Sequence, residues 1–543
     1  MTALFNARVR FGAFLVCLGT ALSSLATTYY VRHDGNDQAS GDATNLAWAS
    51  LERVNRAIFK PGDHVYFEGG QAFLGQLHIT TQHAGNPNAP VVFGSYGSGR
   101  ARIEAGAGTG ILLEGAGGVI LENLEVVGSG ATNNHGYGIN CENTNTHGQR
   151  LDFLKLDNLE THGFGIHGIL ISGTEAGFDH VWVTNCSMHN NLRGGMEVAG
   201  RLSGEATNYA HANVHVVQCK AFDNSGDPNY LRNHSGSGIV LYQVENSLME
   251  QCLAWNNGAL CRSGGGGVGL WVCASRRVTI QYCQSYANKT SHADGGGFDI
   301  DGGCEDCILQ YNYSHDNDGP GLMVYSYNYA PHRNHGCIVR FNISENDSRK
   351  GAPYAGLWVK TDGSDITGLE IYNNTVVVGS WTESAACIFG RGIEARLRNN
   401  IFFSSGNAIP LRVQQPESRM RFENNLYWRE GGPAQIAWDT NLFSNLKEWR
   451  DKTHQESVNG KETGLSQFPQ LTVHPPQQPV GEYIELAHLK AFRPLPQSPV
   501  LVCGIDLKGQ FGLDAGPRDL LGSPIPASGP IPLGAICSPA QSQ

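Results

Sequence analysis

A glycine followed by four alternating residues recurs through the middle of the chain. It appears as Gly195-Met196-Glu197-Val198-Ala199, Gly238-Ile239-Val240-Leu241-Tyr242, Gly269-Leu270-Trp271-Val272-Cys273, Gly297-Phe298-Asp299-Ile300-Asp301, Gly321-Leu322-Met323-Val324-Tyr325 and Gly356-Leu357-Trp358-Val359-Lys360. Ala408-Ile409-Pro410-Leu411-Arg412 keeps the run without the glycine. The second and fourth residues are apolar while the third and fifth vary, a period of two that predicts a strand with one buried face. Interleaved is a short side chain closing an apolar pair, at Cys186, Cys219, Cys252, Cys283, Asn312, Asn342, Asn373, Asn399 and Asn424, spaced by 25 to 33 residues, with Asn123 and Asn158 as earlier members. A repeat of this length built only from strands and turns predicts a β-solenoid, because one coil cannot bury its apolar face alone.

Successive coils pair ~4.8 Å apart, so like positions stack. An inward Asn can then hydrogen-bond the Asn of the next coil, and Cys can replace it as a small core residue. The four stacked cysteines are therefore expected as thiols, while Cys304 with Cys307 and Cys503 with Cys537 stay open. The N-x-S/T matches at Asn312, Asn342 and Asn373 read as ladder residues and not as glycosylation sites.

The repeats resemble the right-handed parallel β-helix of pectate-lyase-like and polygalacturonase-like enzymes. Tyr29-Tyr30-Val31 with Asp34-Gly35-Asn36-Asp37, Trp48-Ala49-Ser50-Leu51 and Lys60-Pro61-Gly62-Asp63-His64-Val65 are similar to the N-terminal cap and first coils of bacterial members. Leu495-Pro496-Gln497-Ser498-Pro499-Val500 and Leu533-Gly534-Ala535 are similar to their C-terminal segment. The resemblance implies an all-β, right-handed single-stranded parallel β-helix; it does not fix the reaction, since this fold hosts many chemistries.

Residues 1–26 read as a secretory signal, with Arg8 and Arg10 ahead of the apolar Phe11 to Leu25 and small residues at Ser24-Leu25-Ala26. Residues 27–109 are assigned to an N-terminal cap and the first coils. Asn45 to Ile58 has a helical rhythm that puts Leu51, Val54 and Ile58 on one capping face. Residues 110–430 form the repeats, and 431–543 a cap and wrap-around tail, with a separate carbohydrate-binding module as the alternative. The expected protein is secreted or periplasmic, monomeric and free of the membrane once the signal is cleaved. A net charge of −11 disfavours nucleic acid as a partner.

Aligned, the outward residues form two columns: Glu197, Val240, Trp271, Asp299, Met323, Trp358, Pro410, and Ala199, Tyr242, Cys273, Asp301, Tyr325, Lys360, Arg412. Aromatic faces stack on sugars and carboxylates bind hydroxyls, so the columns predict a groove for a polysaccharide or oligosaccharide. Asp299 and Asp301 share a face with Cα atoms ~6.5–7 Å apart, at mid-strand positions where Asp is disfavoured. One carboxyl can donate a proton to the leaving oxygen while the other activates water or attacks the anomeric carbon. Lys360 is the candidate lyase base or uronate partner. Glu197, Tyr242, Trp271, Tyr325, Trp358 and Arg412 are candidate sugar contacts, with His315 and His292 expected in turns beside the groove. Asp294 and Asp316, beside glycines or in turns, read as caps.

Three functions compete. Hydrolysis uses the Asp pair and needs no cofactor or metal; β-elimination on a uronate needs a base and a cation, for which Ca2+ is the candidate; a non-catalytic glycan-binding or surface protein needs neither. Pectate-lyase-like enzymes place a Lys on the coil after the acidic cluster, where this chain has Met323. The Gly-His-Gly turn and Arg-x-Lys strand of polygalacturonases have only distant echoes, Asn334-His335-Gly336 and Trp358-Val359-Lys360. Hydrolysis is the preferred reading, with elimination next.

Overall fold

The computed structural model describes residues 26–145, 147–201, 208–330, 333–472, 485–486, 489 and 491–540. The signal segment, Ala26 apart, and the proline cluster Pro475 to Pro479 lie outside them. Three long sheets run side by side. One begins with Thr28–Val31 and ends at Arg421–Glu423, a second runs from Leu77–Ile79 to Asn441–Phe443, and the third from Ala72–Leu74 to Leu426–Glu430. In each, hydrogen-bonded neighbours are three strands apart in sequence along most of its length, so every coil gives one strand to each sheet. Apart from the closing pairs Ile436–Trp438 with Asn441–Phe443 and Ser457–Val458 with Lys461–Glu462, the strand pairs are parallel. This is a parallel β-helix.

The period-two runs fold this way because like residues stack. Val65 lies over Phe93, Phe93 over Leu121 and Leu121 over Leu156, all fully buried, and the same column ends at Leu397 and Phe422. The corner between the first and third sheets is turned by a column in the left-handed region, including Asn123, Asn158, Asn185, Gln218, Gln251, Tyr282, Tyr311, Phe341, Asn373, Asn399 and Asn424. The residue after each points inward.

That geometry corrects the proposed ladder. Asn312 and Asn342 are inward, but the later rungs are Asn374, Asn400 and Asn425, one residue beyond Asn373, Asn399 and Asn424. Asn123 and Asn158 likewise sit at the corner, and Leu124 and Leu159 fill the core. The error came from Asn-Asn doublets, since Asn suits both an αL corner and an inward amide. A second ladder, which the sequence reading missed, joins Asn191, Asn224, Asn257, Asn288 and Asn317 through amide bonds of 2.9–3.1 Å.

Each ladder ends in a carboxylate: Asn425 Nδ2 donates to Glu456 Oε1 at 2.8 Å, and Asn317 Nδ2 to Asp347 Oδ1 at 2.8 Å. Every rung passes an N–H to the next oxygen, so the last acceptor must carry no spare donor. The second ladder also explains glycines that open the repeats. A Cβ at Gly269 would lie 2.0 Å from Ser285 Oγ, and one at Gly297 2.2 Å from Ser314 Oγ.

The thirteen described cysteines are all free, and only Cys503 and Cys537 are less than buried. Asn312, Asn342 and Asn373 are fully buried, so none is presented for glycosylation in the folded chain. At the N-terminal end a short helix, Leu51–Asn55, is capped by the Ser50 hydroxyl and buries Leu51 and Val54. Ile58 departs from the expected face and is 74% exposed, with Phe59 turned inward instead.

The last parallel strand, Ile436–Trp438, continues the stack past residue 430. A helix at Leu446–Thr453 then seats Trp449 against Phe422, Tyr427 and Trp438. Residues 499–537 run back along the corner, packing Val500, Leu507, Ile531 and Leu533 into one cluster with Tyr311, Phe341 and Tyr372. No described helix is long and apolar enough to cross a membrane.

Candidate active site

Pairing in the second sheet fixes the outward columns. Glu197 lies beside Val240, Val240 beside Trp271, Trp271 beside Asp299, Asp299 beside Met323 and Met323 beside Trp358. In the other column Tyr242 pairs with Cys273 and Tyr325 with Lys360. Asp301 N donates to Val272 O at 2.9 Å, which carries the register one residue past the short strand Phe298–Ile300. These outward residues of both columns, Val240 apart, line a cavity of about 370 Å³, together with Asp294, His234, Tyr327, Tyr329 and Tyr354. The volume falls at the small end of ligand pockets, ~300–1,000 Å³.

Two of the sequence candidates are elsewhere. His315 lies on the third sheet, fully buried, stacked on Tyr286 at 4.8 Å and bonded to Asp316 and Gln284. Tyr313–His315 forms a strand of the third sheet and not the expected turn, so its side chains lie away from the groove. Arg412 lies beyond the cavity, paired to Glu383 at 3.3 Å. The sequence alignment skipped the rung Ser384–Phe389, which has no leading glycine. Arg412 pairs with Cys387, itself beside Trp358, so it belongs to the first column. His292 is not among the lining residues but its imidazole lies near enough to act on Asp294, and its backbone carbonyl accepts from Lys350 Nζ at 3.2 Å.

Asp299 is 3% exposed, while Asp294 and Asp301, on the same cavity wall, are half-buried. Asp299 Oδ1 and Asp301 Oδ1 have no hydrogen-bond partner. Burial, reinforced by Asp301 and Asp294, pushes the Asp299 carboxyl well above the usual carboxylate range. Burial also raises Asp301, opposed by the Gly302 N–H, the Cys273 thiol and the Tyr327 hydroxyl. The two environments therefore differ: donors face Asp301, and only charge and apolar wall face Asp299. Such a split is how paired carboxyls acquire acid and base roles.

Asp294, read from the sequence as a turn cap, has φ +55° and accepts from Gly266 N at 2.9 Å and from the Tyr354 hydroxyl at 3.3 Å. It nonetheless lies half-buried on the cavity wall, and desolvation there raises its carboxyl. Tyr327 and Tyr329 were missed too, although Tyr325, Tyr327 and Tyr329 continue the period-two phase beyond the fifth residue.

At the far end Glu197 Oε2 meets His167 Nε2 at 3.1 Å. Burial alone would raise this carboxyl, but the His167 bond and nearby imidazoles hold it down to about 2. Trp271 Nε1 is buried without a partner, and the His234 ring lies edge-on to the Trp271 ring at 4.7 Å. Among the described residues, no group of three His, Cys, Asp or Glu side chains is placed to hold a metal ion.

Residues 152–342 match a family model described as the right handed beta helix region. Over 506 residues the chain is 24% identical to a lacto-N-biosidase of Bifidobacterium longum subsp. longum, covering 75% of this chain and 31% of that protein. It thus spans under a third of the curated relative. The crystal structure of a GH136 lacto-N-biosidase from Eubacterium ramulus superposes with a TM-score of 0.53 at 19% identity, covering 74% of this chain and 67% of that one. XylC in complex with xylose superposes with a TM-score of 0.54 at 9% identity, covering 94% and 98%. With the three parallel sheets, these likenesses make the protein a right-handed parallel β-helix.

Proposed function

We propose that this protein hydrolyses glycosidic bonds of a neutral oligosaccharide or polysaccharide. The observation that carries the reading is the pair formed by the buried Asp299 and the half-buried Asp301, each with one buried, unpartnered oxygen, on a cavity wall between Trp271 and Trp358. Asp299, protonated, gives its proton to the leaving glycosidic oxygen. Asp301, anionic, activates water or attacks the anomeric carbon, and the anomer first released distinguishes the two. The resemblance to a protein named lacto-N-biosidase supports glycoside hydrolysis as the reaction class.

Charge supports hydrolysis over elimination. Glu197, Asp294, Asp299 and Asp301 share the cavity with one lysine, and Asp362 sits 2.7 Å from that lysine's Nζ. A uronate entering there would meet excess negative charge in a site of low dielectric. In this reading the chain is exported, works as a monomer and needs no cofactor.

The test offers the purified protein a panel of neutral and acidic glycans, measuring new reducing ends and ultraviolet-absorbing unsaturated ends. Reducing ends without unsaturation, lost in Asp301→Asn, are the expected result. Unsaturated products from a uronate glycan would overturn it. Loss of cleavage in Asp294→Asn with full retention in Asp299→Asn would move the acid role to Asp294.

A further inference from the structure

The aromatic side chains on the cavity wall differ in what their rings have left to offer. Trp271, Trp358, Tyr327 and Tyr354 are 5–9% exposed, too little for a whole ring face to be open. Tyr242 and Tyr325 are half-buried, and the Tyr325 hydroxyl is tied to Asp362. Tyr329 stands apart at 71% exposed. Of the exposed large hydrophobic side chains among the described residues, it is the one on the cavity wall.

The chain supports this ring from beneath. Tyr327 ends the strand Leu322–Tyr327, which pairs with Phe298–Ile300, and that strand in turn pairs with Leu270–Cys273. The Tyr327 hydroxyl nonetheless lies 3.1 Å from Cys273 Sγ, two coils back. Its ring is therefore laid along the stack, across the coil that carries Asp301. Gly302 makes the room, since a Cβ there would lie 2.6 Å from Tyr327 Cζ. On that buried ring Tyr329 stacks with centroids 4.2 Å apart and planes at 30°. Ala330 N donates to Tyr327 O at 3.1 Å and closes the turn between them. One face of Tyr329 is thus covered by Tyr327, and the other is open to solvent at the cavity mouth.

A pyranose whose hydroxyls are equatorial shows C–H groups on its faces and hydroxyls around its rim. The face of an aromatic ring is its negative side and attracts such C–H groups. That contact needs an open ring face and no buried polar partner, so a platform half in water serves it. A uronate is the wrong unit there, because Asp301 lies close enough to act on the Tyr329 phenol, as does Asp362.

Resting on the reading of the cavity as a glycan site, we propose that Tyr329 is the stacking platform for the sugar unit that protrudes from the cavity. That unit is an uncharged pyranose with an open C–H face. Tyr329 therefore selects substrates by length and by the shape of the outer unit, and takes no part in proton transfer.

The experiment compares wild type with Tyr329→Ala, Tyr329→Leu and Tyr329→Phe, each also made on Asp301→Asn so that binding is read without turnover. The probes are the neutral polysaccharides of the panel, in affinity gels, and their oligosaccharides of increasing length, by quenching of tryptophan fluorescence. Tyr329→Ala should weaken binding of the longer oligosaccharides about tenfold, or ~1.4 kcal/mol. Tyr329→Leu, which keeps apolar area without a ring face, should fall with it, and Tyr329→Phe should stay within about twofold of wild type. The shortest oligosaccharide that binds should be held equally by all four. Unchanged binding in Tyr329→Ala, a loss equal at every length, or a Tyr329→Phe as weak as Tyr329→Ala would overturn the proposal. If Tyr329→Ala does not fold, Tyr329→Leu against Tyr329→Phe carries the same test.

On a cleaved glycan, KM should rise about tenfold in Tyr329→Ala with kcat kept, the pattern of an interaction equal in ground and transition states. Asp301→Asn cleaving at full rate while Tyr329→Ala loses binding would fell the proposed chemistry and keep the platform. Asp301→Asn inactive while Tyr329→Ala binds as wild type fells the platform alone. A wild type that binds none of the panel fells both.

Discussion

Lys360 Nζ and the Tyr325 hydroxyl converge on one oxygen, Asp362 Oδ2, at 2.7 and 2.6 Å. The ammonium also lies 5.5 Å from the Tyr325 ring centroid, 5.7 Å from that of Trp358 and 5.9 Å from that of Phe389. A cation held by a carboxylate and three rings is suited to fixing the groove's aromatic wall and not to accepting a proton. Lys360→Met should therefore retain cleavage within roughly tenfold of wild type, a barrier change of about 1.4 kcal/mol. Initial rates on the glycan chosen by the panel check this, and complete loss would return Lys360 to the chemistry.

The Asp301 carboxyl, raised by burial to about 7, ties stability and activity to pH in opposite senses. Its ordinary value is ~3.9, so the folded state binds the proton more tightly than the unfolded chain. The resulting stabilisation is complete below ~4 and is lost as pH climbs to about 7. Activity needs the anion and should rise over the same window, then fall where Asp299 deprotonates. Because the carboxyls interact, the limbs report the cluster as a unit. Tm and kcat/KM measured from pH 4 to 9 should cross; a flat rate profile over that window would count against Asp301 as the anion.

Glu197 is ionised across that whole range, being held to about 2, and beside the unpartnered Trp271 indole N–H it offers one acceptor and one donor. Glu197 lies three coils from Asp299 and Trp271 directly beside it, but neither exchanges a proton in the reaction, so they should bind substrate equally in ground and transition states. Glu197→Gln and Trp271→Phe are expected to raise KM by about tenfold while kcat changes little. A fall in kcat at constant KM would place them nearer the reaction.

Glu456 closes the first amide ladder. It is fully buried and takes hydrogen bonds from Asn424 N, Asn425 N, Asn425 Nδ2 and the Tyr427 hydroxyl. Glu456→Leu strands those donors and should lower stability by on the order of 3 kcal/mol in urea unfolding, given ~1–3 kcal/mol per buried unsatisfied group. Glu456→Gln, which keeps an acceptor, should cost less. Equal losses would mean that packing, and not the ladder's end, sets the effect.

The solenoid was legible because its signal is a spacing, and spacing survives sequence variation. The positions of Asp299, Asp301, Trp271 and Trp358 followed from phase alone. What failed was local. Ser384–Phe389 hid a rung because only the leading glycine had been used as its marker, and that glycine serves the Ser/Asn ladder behind it, which is absent there. Asn373 and Asn374 can exchange places in the reading because one amino acid suits both corner and core. His315 was misplaced because three-residue strands such as Tyr313–His315 are too short to show an alternation. Asp294 and Tyr354 reach the cavity from loops, whose course no periodicity encodes.

Most contacts in this molecule join one coil to the next, yet the C-terminal residues do otherwise. Asn373 Nδ2 donates to Pro532 O and Gly534 O, Asn399 Nδ2 to Ile531 O, and the Tyr372 hydroxyl to Asp514 O. These corner groups thus wait for acceptors synthesised 132 to 161 residues later. Maturation acquires a direction in time: the stack can grow rung by rung, but its outer seam closes only once residues 514–534 have been delivered.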